Sequence, residues 1–447
     1  MSDIRPQRQS RRSENPEKQP RNAYTEAIAR RSTTPSNIRP PDPDLGRFLL
    51  IYLDHNATTP LQLEVAEAMF EAARAGYANP ASQHAAGRRA KRVVEDARER
   101  IGEILGVNLA TIGPDRLLFT SGGTEANNLA LLGLVGGRLA TGEQATPAGH
   151  VLLSAIEHPS IVGPGERLAA EGFDVERIPV DSNGRVEVAR LAGLIRPTTR
   201  LVSLMAGNNE TGVLQPIAEA AELCRARGVL FHTDAAQAVG KIEIDFTALG
   251  VDALSAAAHK FHGPLGIGLL AVRRGVPLRP LLLGGFQQEG LRPGTESPVL
   301  VTGLLVALEA WARERGARTA RLAALRDLFE VRLRTSCPQL KIHGADVPRL
   351  PQTSNVAFLQ SAQRGVNRQA MLMALDQAGI ACSTGSACAS GSSRPSPTLE
   401  AMGCSPAELE SSLRFSVGTT TTEAEIEAAA SRISAVFHEL CGRLESR

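Results

Sequence analysis

The chain has 447 residues, 43% hydrophobic and 21% charged, with a mean hydropathy of −0.10. This is ordinary composition for a water-soluble protein, with length enough for two or three domains and a large buried core. A formal net charge of +2 gives no basis for a nucleic-acid or acidic-lipid partner, and no apolar run approaches the roughly 18 residues that a membrane span needs.

Residues 1–47 stand apart. They hold ten Arg or Lys, six Asp or Glu and seven Pro, with hardly any apolar periodicity. Such a segment buries too little surface to offset its ordering entropy and is expected to be a disordered tail. It lacks the hydrophobic centre of a secretory signal, and its acids and prolines argue against a transit peptide. The tail carries +4 of the chain's +2, so the other 400 residues carry −2.

From Phe48 onward, short apolar runs alternate with amphipathic stretches. Strands are predicted at 116–119, 150–154, 201–205, 230–233, 253–256 and 267–272, with a helix over 217–227 among them. This alternation predicts an α/β fold with a mainly parallel sheet covered on both faces. After about residue 302 the pattern turns helical, over 304–334, 369–378 and 423–444. The predicted organisation is a large domain over 60–303 and a smaller α+β domain made of 48–59 and 304–447.

Ligands of open α/β sheets bind beyond the carboxyl ends of the strands, and the unusual polar residues fall there. A strand runs into Thr120, Ser121, Gly122, Gly123 and Thr124, where free amides at a helix start make either a phosphate cradle or merely a tight turn. Asp234 closes an apolar strand, as a buried carboxylate awaiting a cation or as a helix cap. Lys260 follows a strand of small residues; there it is a Schiff-base lysine, whose nucleophilicity burial would raise, or a surface lysine. Residues 382–392 contain only Cys, Ser, Thr, Gly and Ala. They predict a mobile loop on which Cys388 is an accessible nucleophile or an incidental thiol. The other cysteines are Cys224, Cys337, Cys382, Cys404 and Cys441. None of the six forms a C-x-x-C pair, which predicts neither a disulfide framework nor a metal site and fits a reducing, cytoplasmic setting.

In this order the motifs resemble those of the cysteine desulfurases of the nitrogen-fixation and iron–sulfur-cluster-assembly type. These belong to the class-V aminotransferase family, among the fold-type-I pyridoxal-phosphate (PLP) enzymes. The resemblance runs from about Ile51 to the C-terminal helix. It rests on YLDHNATTP (52–60), NPASQH (79–84), TSGGTEANN (120–128), EHP (157–159), NNETG (208–212) and DAAQ (234–237). It continues through His259-Lys260, GLRPGT (290–295), GSAC (385–388) and SLRFS (412–416). The resemblance implies that Lys260 carries PLP, His158 stacks on its ring and Asp234 pairs with the ring nitrogen. Gln237 and Asn209 would contact the phenolic oxygen. Gly123, Thr124 and His259 would hold the phosphate, joined by Thr295 from the neighbouring subunit of a homodimer with shared active sites. Arg414 would bind the carboxylate of L-cysteine, with Asn209 beside it. Lys260, with His158, would move the Cα proton. Cys388 would take the sulfur as a persulfide, release L-alanine and deliver the sulfur to an acceptor such as an iron–sulfur scaffold protein.

One departure bears on the cofactor. Where the family usually has Ser-x-Ser-Gly-His-Lys, this chain has Ser255, Ala256, Ala257, Ala258, His259 and Lys260. Ala257 replaces a phosphate-binding serine, which predicts weaker PLP retention than in a typical member. Three rival readings share these residues. A selenocysteine lyase would differ in its substrate. Another class-V PLP aminotransferase would need Lys260 and Asp234 but not Cys388. A non-catalytic scaffold would not need the retained site residues.

Overall fold

Seven five-residue strands form the centre of the described chain, and all but one edge strand are buried along nearly their whole length, so that most present apolar side chains to both faces. A computed structural model describes residues 50–139, 149–361, 363–385 and 395–445. The tail predicted over 1–47 and the proposed nucleophile Cys388 lie outside these residues.

The described chain begins with β1 (Ile51–Tyr52), α1 (Leu63–Arg74) and α2 (Ala85–Leu105). The seven-stranded sheet follows: β2 (Arg116–Thr120), β3 (His150–Ser154), β4 (Asp174–Ile178), β5 (Thr199–Ser203), β6 (Leu230–Asp234), β7 (Ala253–Ala257) and β8 (Gly268–Val272). Their spatial order is β2-β8-β7-β6-β5-β3-β4. Between strands run α3 (Gly123–Leu139), α4 (Pro159–Ala170), α5 (Val188–Leu194), α6 (Ile217–Ala226) and α7 (Phe246–Leu249). Alternation along the strands feeds two cores. Leu152, Val202, Phe231 and Leu254 point into one, and Val151, Leu153, Leu201, Leu230 and Ala253 into the other.

The sheet is mainly parallel, as expected, with one reversal: β8 runs antiparallel to both β2 and β7. The connection from β7 to β8 is ten residues, short of the dozen or more that a parallel crossover requires. That short return carries Lys260. The sequence reading missed β4, an edge strand bearing Asp174, Glu176 and Arg177. Charges that keep an edge from pairing also erase the apolar signature of a strand.

Next comes α8 (Pro298–Ser336), whose helical geometry breaks at Glu314 (φ −126°, ψ 16°). Before the break, Val301, Leu304, Leu308 and Trp311 pack into the first sheet core. After it, Leu322, Leu325, Phe329 and Leu333 enter a third core. That core lies against β9 (Lys341–Ile342), β10 (Thr353–Ala357) and, beyond a small hairpin of β11 (Leu359–Ser361) and β12 (Arg364–Gly365), α9 (Arg368–Gln377). The remaining elements are β13 (Ile380–Ala381), α10 (Pro397–Ala401), α11 (Pro406–Ser411), β14 (Ser412–Ser416) and α12 (Glu423–Glu445). β10 lies between β9 and β14, and β1 pairs in parallel with β13, so the first strand joins the last third of the chain. No described helix is long and apolar enough to cross a membrane.

Candidate active site

Five carboxyl ends of the central sheet open onto one cavity of about 940 Å³. β2 delivers Gly123 and Thr124, β3 delivers Glu157 and His158, and β5 delivers Asn209 and Glu210. β6 supplies Asp234 and Gln237, and β7 supplies Ala257, His259 and Lys260. Arg414 reaches the same cavity from β14.

At the end of β2 the chain turns through Gly122 (φ 158°) into α3. The first-turn amides of a helix have no partner within it, so they form a cradle of donors. A Cβ on Gly123 would lie 3.3 Å from the Ala257 methyl group, so this turn and the end of β7 are packed together.

Asp234 is almost fully buried. Its Oδ2 accepts from Asn127 Nδ2 at 2.7 Å and its Oδ1 from the Ala236 amide at 2.9 Å, both neutral donors. A carboxylate so placed is suited to a cation entering from the cavity. His158 caps α4, its Nδ1 accepting from the Ser160 amide at 3.1 Å. Burial lowers its pKa; Asp234 opposes the shift, and Lys260 and Arg414 add to it. The imidazole therefore stands neutral near pH 7. Beside it, burial pushes Glu157 up to about 8, with Asp234 adding to the rise and the Ser154 bond opposing it. Its Oε1 accepts from Ser154 Oγ at 2.6 Å and the Met205 amide at 2.8 Å.

Lys260 sits on the one-turn helix 258–260 after β7 and donates through Nζ to the carbonyls of Asn56 (2.7 Å) and Ala57 (2.9 Å). Residues 54–60 thus lie across the lysine turn. Gln237 Nε2 donates to the same Asn56 carbonyl at 2.9 Å, and Thr59 Oγ1 to the His259 carbonyl at 2.8 Å. Burial and the Lys260 charge push His259 down to about 4.

Arg414, 1% exposed, donates through Nη2 to Asp54 Oδ1 at 2.6 Å. Its Nη1 reaches the carbonyls of Asn209 (3.0 Å) and Gly385 (3.3 Å), while its Nε–H meets no acceptor among the described residues. A carboxylate entering the cavity would supply one.

Thr295 is exposed and does not line this cavity. Of the loop expected at 382–392, only residues 382–385 lie within the described chain. Ser383 exchanges backbone hydrogen bonds with Arg414 (3.1 and 2.7 Å), so Cys382 and Ser383 are tied to β14. Burial raises the Cys382 thiol pKa, setting it apart from an exposed nucleophile. Among the described residues no group of three or more His, Cys, Asp or Glu is placed to hold a metal.

Sequence reasoning assigned no role to Asp54, Asn56, Asn127, Glu157 or Glu210. Asn127 carried a usable signal, lying three residues after Thr124 and so on the same helix face. Asp54 and Asn56 gave none, because their partners lie more than 150 residues away.

The residues present fit PLP. A donor-rich helix start, a buried carboxylate and an arginine N–H that meet no cationic partner and no acceptor, respectively, among the described residues, and a lysine at a strand end share one cavity of suitable size. The fold and site define a pyridoxal-phosphate enzyme. Residues 51–429 match the model of the aminotransferase class-V family, and the chain belongs to that family. It is 37% identical to "Cysteine desulfurase NifS" of Azotobacter vinelandii over 390 residues, covering 87% of this chain and 93% of the relative. A solved structure titled "NIFS-like protein" superposes with a TM-score of 0.77 at 32% identity, covering 88% of this chain and all of the other. A second, "SspA in complex with cysteine", gives 0.67 at 32% identity, covering 82% and 98%.

Proposed function

We infer that this protein is a cysteine desulfurase, which takes sulfur from L-cysteine, holds it as a persulfide on Cys388 and releases L-alanine. One observation carries the reading. Lys260, Asp234 and His158 at the sheet's strand ends meet Arg414 around a cavity that Pro395, Pro397 and Thr398, just after the Cys388 segment, also line.

Bound PLP supplies an electron sink for charge developing on the substrate carbon atoms. Lys260 would hold it through Nζ, Asp234 at the ring nitrogen and His158 across the ring face. Gln237 and Asn209 would meet its phenolic oxygen, and Gly123, Thr124 and His259 its phosphate. Arg414, pre-set by Asp54, binds the substrate carboxylate and fixes which face of Cα meets Lys260. Lys260 removes the Cα proton, with neutral His158 as a second acceptor. Cys388, as thiolate, bonds to the substrate sulfur as the Cβ–S bond breaks. The thiol proton ends on alanine, so the reaction needs no external oxidant or reductant.

The finer reading is a homodimer in which Thr295 of a second copy completes each phosphate site. The exposure of Thr295 and of Leu282, Leu283 and Phe286 supports it. The separate core around Phe329 and Phe415 supports a small domain of 48–59 plus 304–447 beside a large one of 60–303. Unpaired Cys224, Cys337, Cys382, Cys404 and Cys441 support a cytoplasmic setting. The sulfur passes to an acceptor protein such as an iron–sulfur scaffold, as the resemblance implies.

The test is incubation of the PLP-loaded protein with L-cysteine, followed by alanine assay and mass spectrometry of the Cys388 peptide. One added sulfur on Cys388 is expected, and Cys388→Ala should abolish sulfide and alanine production. Full turnover by Cys388→Ala would end the reading. L-selenocysteine, assayed alongside, separates a lyase selective for selenium.

A further inference from the structure

Glu210 has no part in the chemistry above, yet it is a nearly fully buried carboxyl group at the cavity wall. Its Oε2 accepts from Ser396 Oγ at 2.6 Å, and Thr398 hydrogen-bonds to the same carboxyl group. The same oxygen lies against Gly385: a Cβ there would come within 2.7 Å of Oε2, and the backbone is left-handed (φ 92°). Only glycine fits both demands.

Gly385 and Ser396 flank residues 386–395, which contain Cys388. One carboxyl group therefore touches both feet of the segment that carries the proposed nucleophile. The backbone that carries this carboxyl group is itself held. The Glu210 amide donates to Asn208 Oδ1 at 2.9 Å, and its carbonyl accepts from Asn355 Nδ2 at 3.4 Å. Arg414 Nη1 reaches the Gly385 carbonyl, so the same foot is tied to the arginine assigned to the substrate carboxylate. Ser396 also caps α10 through the Leu399 amide at 3.2 Å, which anchors the second foot to a helix.

We propose that Glu210 is a positioning residue for sulfur transfer, joining Gly385 and Ser396 so that the Cys388 segment starts and ends at fixed points beside Arg414. Three residues of chain span at most about 11 Å. The position of Gly385 therefore limits where a nucleophile three residues on can reach. Attack on sulfur needs near-contact geometry, and a misplacement of about 1 Å can cost a hundredfold in rate. Ser396→Ala removes the hydrogen bond at the second foot and should act in the same direction as Glu210→Ala. Burial raises the Glu210 pKa, and glutamine keeps the side-chain length and an oxygen able to accept from Ser396.

The inference rests on the reading of Cys388 as sulfur acceptor, so the experiment measures two events separately on PLP-loaded protein. Stopped-flow absorbance reports substrate engagement when L-cysteine is added, and quenched-flow mass spectrometry reports sulfur arriving on Cys388. Hydrogen exchange of the amides in 383–398 provides a readout independent of activity. In Glu210→Ala, sulfur arrival should slow about tenfold or more and exchange should rise, with the absorbance change within twofold of wild type. Glu210→Gln should restore most of the rate, and Ser396→Ala should fall between. Sulfur arrival within twofold of wild type in both Glu210→Ala and Ser396→Ala would overturn the proposal. So would equal slowing of both events, which marks a role in the cavity as a whole. If Glu210→Ala does not fold, Ser396→Ala decides by the same criteria. A wild-type protein that gains no sulfur on Cys388 removes the underlying reading and this inference with it.

Discussion

At the end of β7 the Ala257 methyl group lines the cavity, 2% exposed and packed toward the Gly123 turn. The resemblance places a phosphate-binding hydroxyl at this position, and alanine supplies no donor. A hydrogen bond to a charged acceptor contributes about 1.5–3 kcal/mol, equivalent to roughly ten- to a hundredfold in affinity. Ala257→Ser should therefore bind PLP at least about tenfold more tightly, as measured by equilibrium titration of protein stripped of cofactor. Unchanged affinity would mean that the remaining donors, the α3 amides, Thr124 and His259, already saturate the phosphate. Arg414 shows the opposite situation. Its fork is committed on two sides, to Asp54 and to the Asn209 and Gly385 carbonyls, while its Nε meets no acceptor among the described residues.

Among the elements, the junction of β8 with the turn after β2 is the tightest part of the site. A Cβ on Gly268 would lie 2.6 Å from the Gly122 carbonyl carbon and 2.7 Å from the Ala256 carbonyl oxygen. Both neighbours are backbone and cannot rotate away. Gly268→Ala should cost about 1–3 kcal/mol as overpacking and push the α3 cradle off the end of β7. Its melting temperature should fall and its PLP should dissociate faster; a variant with unaltered melting and retention would show that the turn yields freely. The strands of this junction were legible in the sequence, because two-sided burial leaves continuous apolar runs at 116–119, 253–256 and 267–272. Asp234 and Lys260, at the ends of β6 and β7, stood out as polar residues beside apolar runs, each with a bland alternative, whereas His158 was reached only through the resemblance. What stayed hidden depended on tertiary approach. The reversal of β8 follows from a short return that the sequence contains but apolar periodicity does not register. The laying of 54–60 over Lys260, the Asn127 bond to Asp234 and the closeness of Glu210 to both Gly385 and Ser396 join residues that no local pattern relates. β4 was lost because charge protects an edge by the same means that disguises it.

Across the whole molecule, buried titratable groups set how stability responds to acid. Burial is the leading cause in each histidine concerned: His55 and His232 are pushed down to about 3, and His259, His262 and His343 to about 4. His150 and His158 move the same way. An unfolded histidine titrates near 6.5, so below that pH the unfolded chain takes up protons that the folded one refuses. Their contribution to stability is complete above pH 6.5, is lost as pH falls toward 3–4, and is flat below. For His262 and His343, the most enclosed of those at about 4, the loss is on the order of 3 kcal/mol each. Lys241, lowered to about 7 chiefly by burial, acts in the same sense in the window from 10.5 down to 7. Glu157, raised to about 8, has the opposite sign: its contribution is complete below 4.5 and lost as pH rises to 8, and Glu210 shifts in the same direction. Seven histidines against two carboxyl groups among the described residues decide the balance between pH 6.5 and 4.5, where the folded state takes up fewer protons than the unfolded. Urea unfolding midpoints should therefore fall from pH 7.5 to 6.0 and again to 5.0. His343→Gln, which removes one such site, should flatten that fall by about one proton's share of the slope. A midpoint that holds steady or rises on acidification would mean that these imidazoles protonate within the fold, and that the buried histidines around Lys260 are wetter than their enclosure indicates.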